Sequence, residues 1–139
     1  MKKILCAVDL GQSDKSADVL KQANALAQLQ GSKLSVITVV PDFGMSIVGS
    51  FFDKGSLDKA LAKANADLHS FVSETLPEAK VQHIVALGTV YEEVLEAAKK
   101  LKVDLVVIGA NKPDLKDKML GPNAARVARH AKASVYIVR

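Results

Sequence analysis

The feature that most constrains the fold is an alternation of two hydrophobic periods. Short, nearly continuous apolar runs rich in Val and Ile alternate with longer segments whose apolar residues recur every three or four positions. A continuous run is how a strand buried on both faces reads, and the wider spacing belongs to an amphipathic helix. Lys3 to Val8 is the first strand and ends at Asp9. Gly11, Gln12 and Ser13 break it, and Ser13 is placed to cap a helix through about Gln30. Ala17, Leu20, Ala23 and Ala27, with Val19 and Leu26 beside them, form the apolar side of that helix, and Gly31 ends it. Leu34 to Val40 is the second strand, closed by Pro41.

From Pro41 to Gly55 no period is visible, and the stretch is long for a connection in a compact domain. Its apolar residues suit a lid over a crevice, a contact with a second subunit, or a short irregular helix completing the core. Ser56 to about Leu76 is the second helix, with Leu57, Leu61, Ala64, Leu68 and Val72 in register, and Pro77 stops it. Val81 to Ala86 is the third strand. Thr89 and Glu92 match a capping box opening a helix whose stripe is Val94, Leu95, Ala98 and Leu101. Val103 to Ile108 is the fourth strand, Asn123 to Ala131 a fourth helix with Ala124, Val127, Ala128 and Ala131 inward, and Val135 to Val138 the last strand.

The order β-α-β-α-β-α-β-α-β predicts one α/β domain: a five-stranded parallel sheet with helices on both faces. The 139 residues suffice for one full core. In such sheets ligands bind outside the carboxyl ends of the strands, where this chain places Asp9 and Gly109. After Gly109 comes a polar loop, then Gly121-Pro122-Asn123 opening an Ala-rich helix. The first amides of a helix lack intrahelical partners and carry the positive end of its dipole, which together suit a phosphate.

Composition narrows the classes. Net charge is +4, without a long basic run, and only 4% of residues are aromatic, so nucleic-acid binding has little support. No apolar stretch approaches membrane-spanning length, and Met1-Lys2-Lys3 is followed by a short run interrupted by Asp9 rather than by a leader pattern. The cytoplasm is therefore the expected compartment. The single cysteine, Cys6, lies inside an apolar strand and reads as a small core residue rather than a nucleophile. His69, His83 and His130 fall on different elements without metal-ligand spacing, so no metal site is expected. His130 lies near a helix C-terminus, where partial positive charge is favourable.

Several stretches, in order, carry a resemblance: Ile4-Leu5-Cys6-Ala7-Val8-Asp9, Leu34 to Val40, Gly88-Thr89, Asp104-Leu105-Val106-Val107-Ile108-Gly109 and Ala133 to Arg139. With them the chain resembles the universal stress protein family over essentially its whole length. The resemblance implies a Rossmann-like fold of the adenine nucleotide alpha hydrolase-like kind. It also implies ATP as ligand, with magnesium carried on the nucleotide, at most slow ATP hydrolysis, and a homodimer through Val135–Val138. Ala7 and Val8 would line the adenine pocket, Val39 would meet the adenine edge through its backbone, and Asp9 would help hold the ribose or the metal. A helix-cap or turn role is the alternative for Asp9.

ATP-binding members carry glycine, two residues, glycine, nine residues, then glycine with Ser or Thr. Here Gly109 and Gly121 hold the outer positions, Lys112 replaces the middle glycine, eight residues separate it from Gly121, and Pro122 takes the hydroxyl position. Pro122 has neither an N–H nor a side-chain donor. Asn123 and Ala124 keep their amides, and Lys112, Lys116 and Lys118 either add charge to the site or solvate the loop. Two other classes compete. A dimeric interaction module of the same fold without nucleotide is favoured by Pro122. A phosphoacceptor receiver domain would need an aspartate ending the third strand, which instead ends Val85-Ala86-Leu87-Gly88. The chain has neither a P-loop nor a dinucleotide glycine fingerprint after its first strand.

Overall fold

The computed structural model describes residues 2–41, 54–110 and 121–139. Five strands and four helices alternate: β1 Lys3–Ala7, α1 Ser13–Gln30, β2 Lys33–Pro41, α2 Lys54–Thr75, β3 Gln82–Gly88, α3 Val90–Leu101, β4 Leu105–Gly109, α4 Pro122–His130 and β5 Ser134–Val138. All strand pairs are parallel, and the order across the sheet is β3-β2-β1-β4-β5. The expected α/β architecture is therefore the one observed. β1 is central, with Cys6 level with Val36 on one side and Val107 on the other.

The period of two along β1 separates the two layers. Ile4, Cys6 and Val8 pack with Val19, Leu20, Ala23, Leu68 and Val72 beneath α1 and α2. Leu5 and Ala7 pack with Val94, Ala98, Ala124 and Val127 beneath α3 and α4. Cys6 is fully buried, and burial pushes its thiol up, as a core residue requires.

The helix ends show where local signals were overruled. Gly31 ends α1 at φ 64°, the left-handed turn glycine adopts without strain, and the amide of Ser32 reaches back to the Ala27 carbonyl at 2.8 Å. Gly88, at φ 147°, makes the exit from β3 in a conformation side chains disfavour. Ser13 does not cap α1. A 3₁₀ turn over Leu10–Gln12 runs directly into the helix, Gln12 stands at the N-cap, and Ser13 is already helical. The cap moves one turn earlier, to Asp9, whose Oδ1 accepts from the Gly11 amide at 2.9 Å. Thr89 does occupy the N-cap of α3 with extended backbone, but its side chain makes no cap bond, so the capping box does not form. Helix α4 buries Ala124 and Val127, whereas Ala128 is exposed. That helix packs on α3 and the outermost strand β5, so only a narrow stripe is covered.

The apolar segment between Pro41 and Gly55 lies largely outside the described residues, as do Lys112, Lys116 and Lys118. No helix among the described residues is long and apolar enough to cross a membrane.

Candidate functional site

The strand order places the topological switch between β1 and β4. The chain winds from β1 out to β2 and β3, then returns to β4 and β5 on the other side. Loops leaving the carboxyl ends of β1 and β4 therefore diverge, and a crevice opens between them. Its volume is about 330 Å³, at the lower end of small-molecule pockets. Every expected site residue among the described residues lines it: Ala7 at the end of β1 with Val8 and Asp9 just past it, Val39 from β2, Gly109 from β4, and Gly121, Pro122, Asn123 and Ala124 at the start of α4. Lys112 lies outside the described residues.

The β1 side is fixed by a small polar cluster. The Ser16 hydroxyl, buried in the first turn of α1, donates to the Asp9 carbonyl at 2.8 Å and accepts from the Asp9 amide at 2.9 Å. Ser16 thus satisfies both main-chain groups of the residue at which β1 turns away. Helical periodicity alone had put Ala17 on the inner face, but Ala17 is half-buried and Ser16 takes the inner position. Asp9 itself is exposed, and one of its oxygens is engaged by the Gly11 amide. Its carboxylate therefore carries no large desolvation cost, and its turn-capping role is structural.

The apolar wall follows from strand lengths. The β1–β2 ladder ends at Ala7–Ile37, with the Val8 amide still bonded to the Ile37 carbonyl at 2.9 Å. Strand β2 continues beside β3 as far as Pro41. Backbone groups alternate sides along a strand, so Val39 directs its groups toward β1 as Ile37 does, at a level where β1 has left the sheet. That edge of Val39 opens on the crevice, between the side chains of Ile37, Val90, Val94 and Ile108.

The α4 side is built by loop closure. The chain leaves at Ala110 and returns at Gly121, whose amide donates to the Ala110 carbonyl, while the Ala110 amide donates to Val138 at 2.8 Å. Gly121 is the extended N-cap of α4, and Pro122 occupies the first turn, where its fixed φ suits the helix. The first intrahelical bond described runs from the Ala125 amide to the Gly121 carbonyl at 3.0 Å, so the amides of Asn123 and Ala124 precede it at the crevice.

Both surviving glycines also answer to packing. A Cβ on Gly121 would stand 2.8 Å from the Ala110 carbonyl oxygen, and one on Gly109 would stand 3.2 Å from Val19 Cγ2. The close approach of Ala110 to Gly121 needs a residue without a side chain, whatever the crevice holds, while a side chain at Gly109 would require Val19 to give by a few tenths of an ångström.

Among the described residues, no His or Cys lines the crevice, and no group of three or more His, Cys, Asp or Glu could hold a metal ion. His69 and His83, distant in sequence, stack with ring centroids 3.8 Å apart where α2 crosses β3. Burial, then the facing His69, holds the His83 imidazole below its ordinary value. Chemically, the crevice offers an apolar wall, helix amides at one end, and the polar side chains of Asp9, Gln12, Lys15, Ser16 and Asn123.

A parallel five-stranded sheet of order β3-β2-β1-β4-β5 with its crevice at the β1/β4 switch defines a Rossmann-like α/β domain as the class. The family model "Universal stress protein family" matches residues 1–139, and the chain belongs to that family. Universal stress protein G of Escherichia coli O157:H7 is 32% identical over 141 residues, covering 99% of each chain. The solved structure of hypothetical protein MJ0577 superposes with a TM-score of 0.80 at 24% identity, covering 99% of this chain and 94% of that one. The universal stress protein from Archaeoglobus fulgidus in complex with dAMP superposes with a TM-score of 0.72 at 20% identity, covering 100% and 98%.

Proposed function

We propose that this universal stress protein binds an adenine nucleotide, ATP in the first instance, in the crevice between β1 and β4. It acts in stress response or signalling through interactions that depend on the bound nucleotide. One observation carries this reading: the amides of Asn123 and Ala124 share a crevice with an apolar slot that includes the open edge of Val39. Adenine fits the slot beside Ala7, Val8 and Val39, and the phosphates fit the helix start. The dAMP held by the Archaeoglobus fulgidus relative supports the same ligand class. Asp9 uses one carboxylate oxygen on Gly11, and among the described residues the other has no partner, so it suits the ribose or a magnesium ion carried by the nucleotide. That ion would offset phosphate charge. Lys112 belongs to the same proposal, as the residue that takes the place of the middle glycine. Hydrolysis is at most slow, and the working compartment is the cytoplasm.

The dimer belongs to this proposal as well. Among the described residues β5 is an edge strand paired with β4 alone, and Tyr136 on it is 40% exposed. Addition of a second copy along Val135–Val138 would cover that edge. A monomeric mass in sedimentation at micromolar concentration would defeat the dimer.

The competing reading is a dimeric interaction module of the same fold that holds no nucleotide. The packing at Gly121 favours it, since that glycine is explained without a ligand, and the tight fit of Gly109 against Val19 points the same way. The two readings separate on one experiment. Purified protein is denatured and the released small molecules are identified by mass, followed by titration with ATP and magnesium. Released adenine nucleotide, or saturable ATP binding, supports the first reading; neither supports the second.

A further inference from the structure

We propose that Lys15 is the cationic anchor of the crevice, pairing with the phosphate chain and setting a preference for phosphorylated over unphosphorylated adenosine. The inference rests on the nucleotide reading above. Lys15 stands in the first turn of α1, directly before Ser16. The two bonds from the Ser16 hydroxyl to the Asp9 backbone fix that turn against the end of β1. So held, Lys15 lies over β4: a Cβ placed on Gly109 would be 4.0 Å from Lys15 Cε. Lys15 is half-buried and lines the crevice, as a long side chain does that covers apolar surface with its stem and keeps its charge hydrated.

Among the described residues that line the crevice, Lys15 is the one cation and Asp9 the one anion. The ion pairs of the described residues are Lys63–Asp67 and Lys100–Glu96, both remote, and within that set Lys15 has no partner. A cation set in a mostly apolar crevice selects for an anion carried on an apolar body. Pro122 has removed one amide from the helix start, so a phosphate at the Asn123 and Ala124 amides depends more heavily on the Lys15 charge.

The test is titration calorimetry of the full chain and its Lys15→Met and Lys15→Arg variants with ATP, ADP and adenosine at one salt concentration. Thermal melting without ligand runs alongside. Lys15→Met should lose about tenfold or more in ATP affinity, less for ADP and under about twofold for adenosine. Lys15→Arg should restore most of the ATP affinity, and all three proteins should melt together. Equal losses for ATP and adenosine would show a scaffolding role and overturn the proposal, as would unchanged ATP affinity or no recovery with Arg. If the unsubstituted chain takes up none of the three ligands, the nucleotide reading itself falls and Lys15 with it. If it binds ATP and Lys15→Met binds equally well, Lys15 alone falls.

Discussion

Replacing Pro122 by Ser moves stability and ligand affinity in opposite directions. Pro122 is an exposed residue at the start of α4, after an extended Gly121 at φ −60° and ψ 155°. It contributes no amide, so the helix offers the crevice only the amides of Asn123 and Ala124 before the Ala125–Gly121 bond begins the ladder. Serine restores one amide and adds a hydroxyl at the position where a phosphate would sit. A hydrogen bond to a charged acceptor is worth about 1.5–3 kcal/mol. Water already competes for an exposed hydroxyl, so one full bond is the reasonable count, which is roughly 10- to 150-fold in affinity. Against this, the unliganded protein loses the φ restraint of proline, about 0.4–1 kcal/mol. For a chain of this length that lowers the melting temperature by roughly 1–5 °C. Calorimetric titration with ATP and magnesium reads the first effect, and scanning calorimetry without ligand reads the second. An ATP affinity equal to or weaker than that of the unsubstituted chain refutes the account of the missing donor.

Further expectations follow from the same geometry. Gly121→Ala puts a Cβ 2.8 Å from a backbone oxygen and should cost about 1–3 kcal/mol in urea denaturation, whereas Gly109→Ala meets a side-chain methyl at 3.2 Å and should cost less; the reverse order would contradict the packing account. Ser16→Ala leaves the Asp9 amide without its partner, while the Asp9 carbonyl keeps the Gln12 amide at 3.0 Å, and should lose about 1–3 kcal/mol, read as a lower urea midpoint. The Asp104 carboxylate accepts from the Lys2 and Lys3 amides at 2.7 and 3.0 Å, which holds its carboxyl below the ordinary value of 3.8. Its contribution is therefore full above that value and lost as pH falls through the lowered one, and Asp104→Asn should flatten this acid limb. The His83 imidazole, held below 6.5 by burial and by His69, should give an earlier decline beginning below that pH, absent in His83→Gln.

Much of the fold was legible because the strands of a doubly covered parallel sheet must be continuously apolar. Ile4 to Val8 and Leu105 to Ile108 announce themselves without any knowledge of partners. The crevice was legible for a related reason: Asp9 and Gly109 end adjacent central strands, and topology alone brings those ends together. What failed to show were features fixed by tertiary distance. The cap of α1 passed from Ser13 to Asp9 because a 3₁₀ turn, invisible to periodicity, precedes the helix. Ser16 reads as a polar surface residue, yet its two bonds to Asp9 are what make it tolerable inside. Lys15 has no local signal, since a lysine in a first helical turn normally faces water; only the passage of α1 over Gly109 shows otherwise. The His69–His83 stack likewise depends on where α2 crosses β3.

The central claim is that phosphate sits on the amides at the start of α4 with adenine in the slot beside Val39. A crystal structure grown with excess ATP and magnesium tests it most directly. The account predicts phosphate oxygens within hydrogen-bonding distance of the Asn123 and Ala124 amides and the base against Ala7, Val8 and Val39. Nucleotide bound elsewhere, or a crevice filled by the protein's own side chains under saturating ligand, would contradict it.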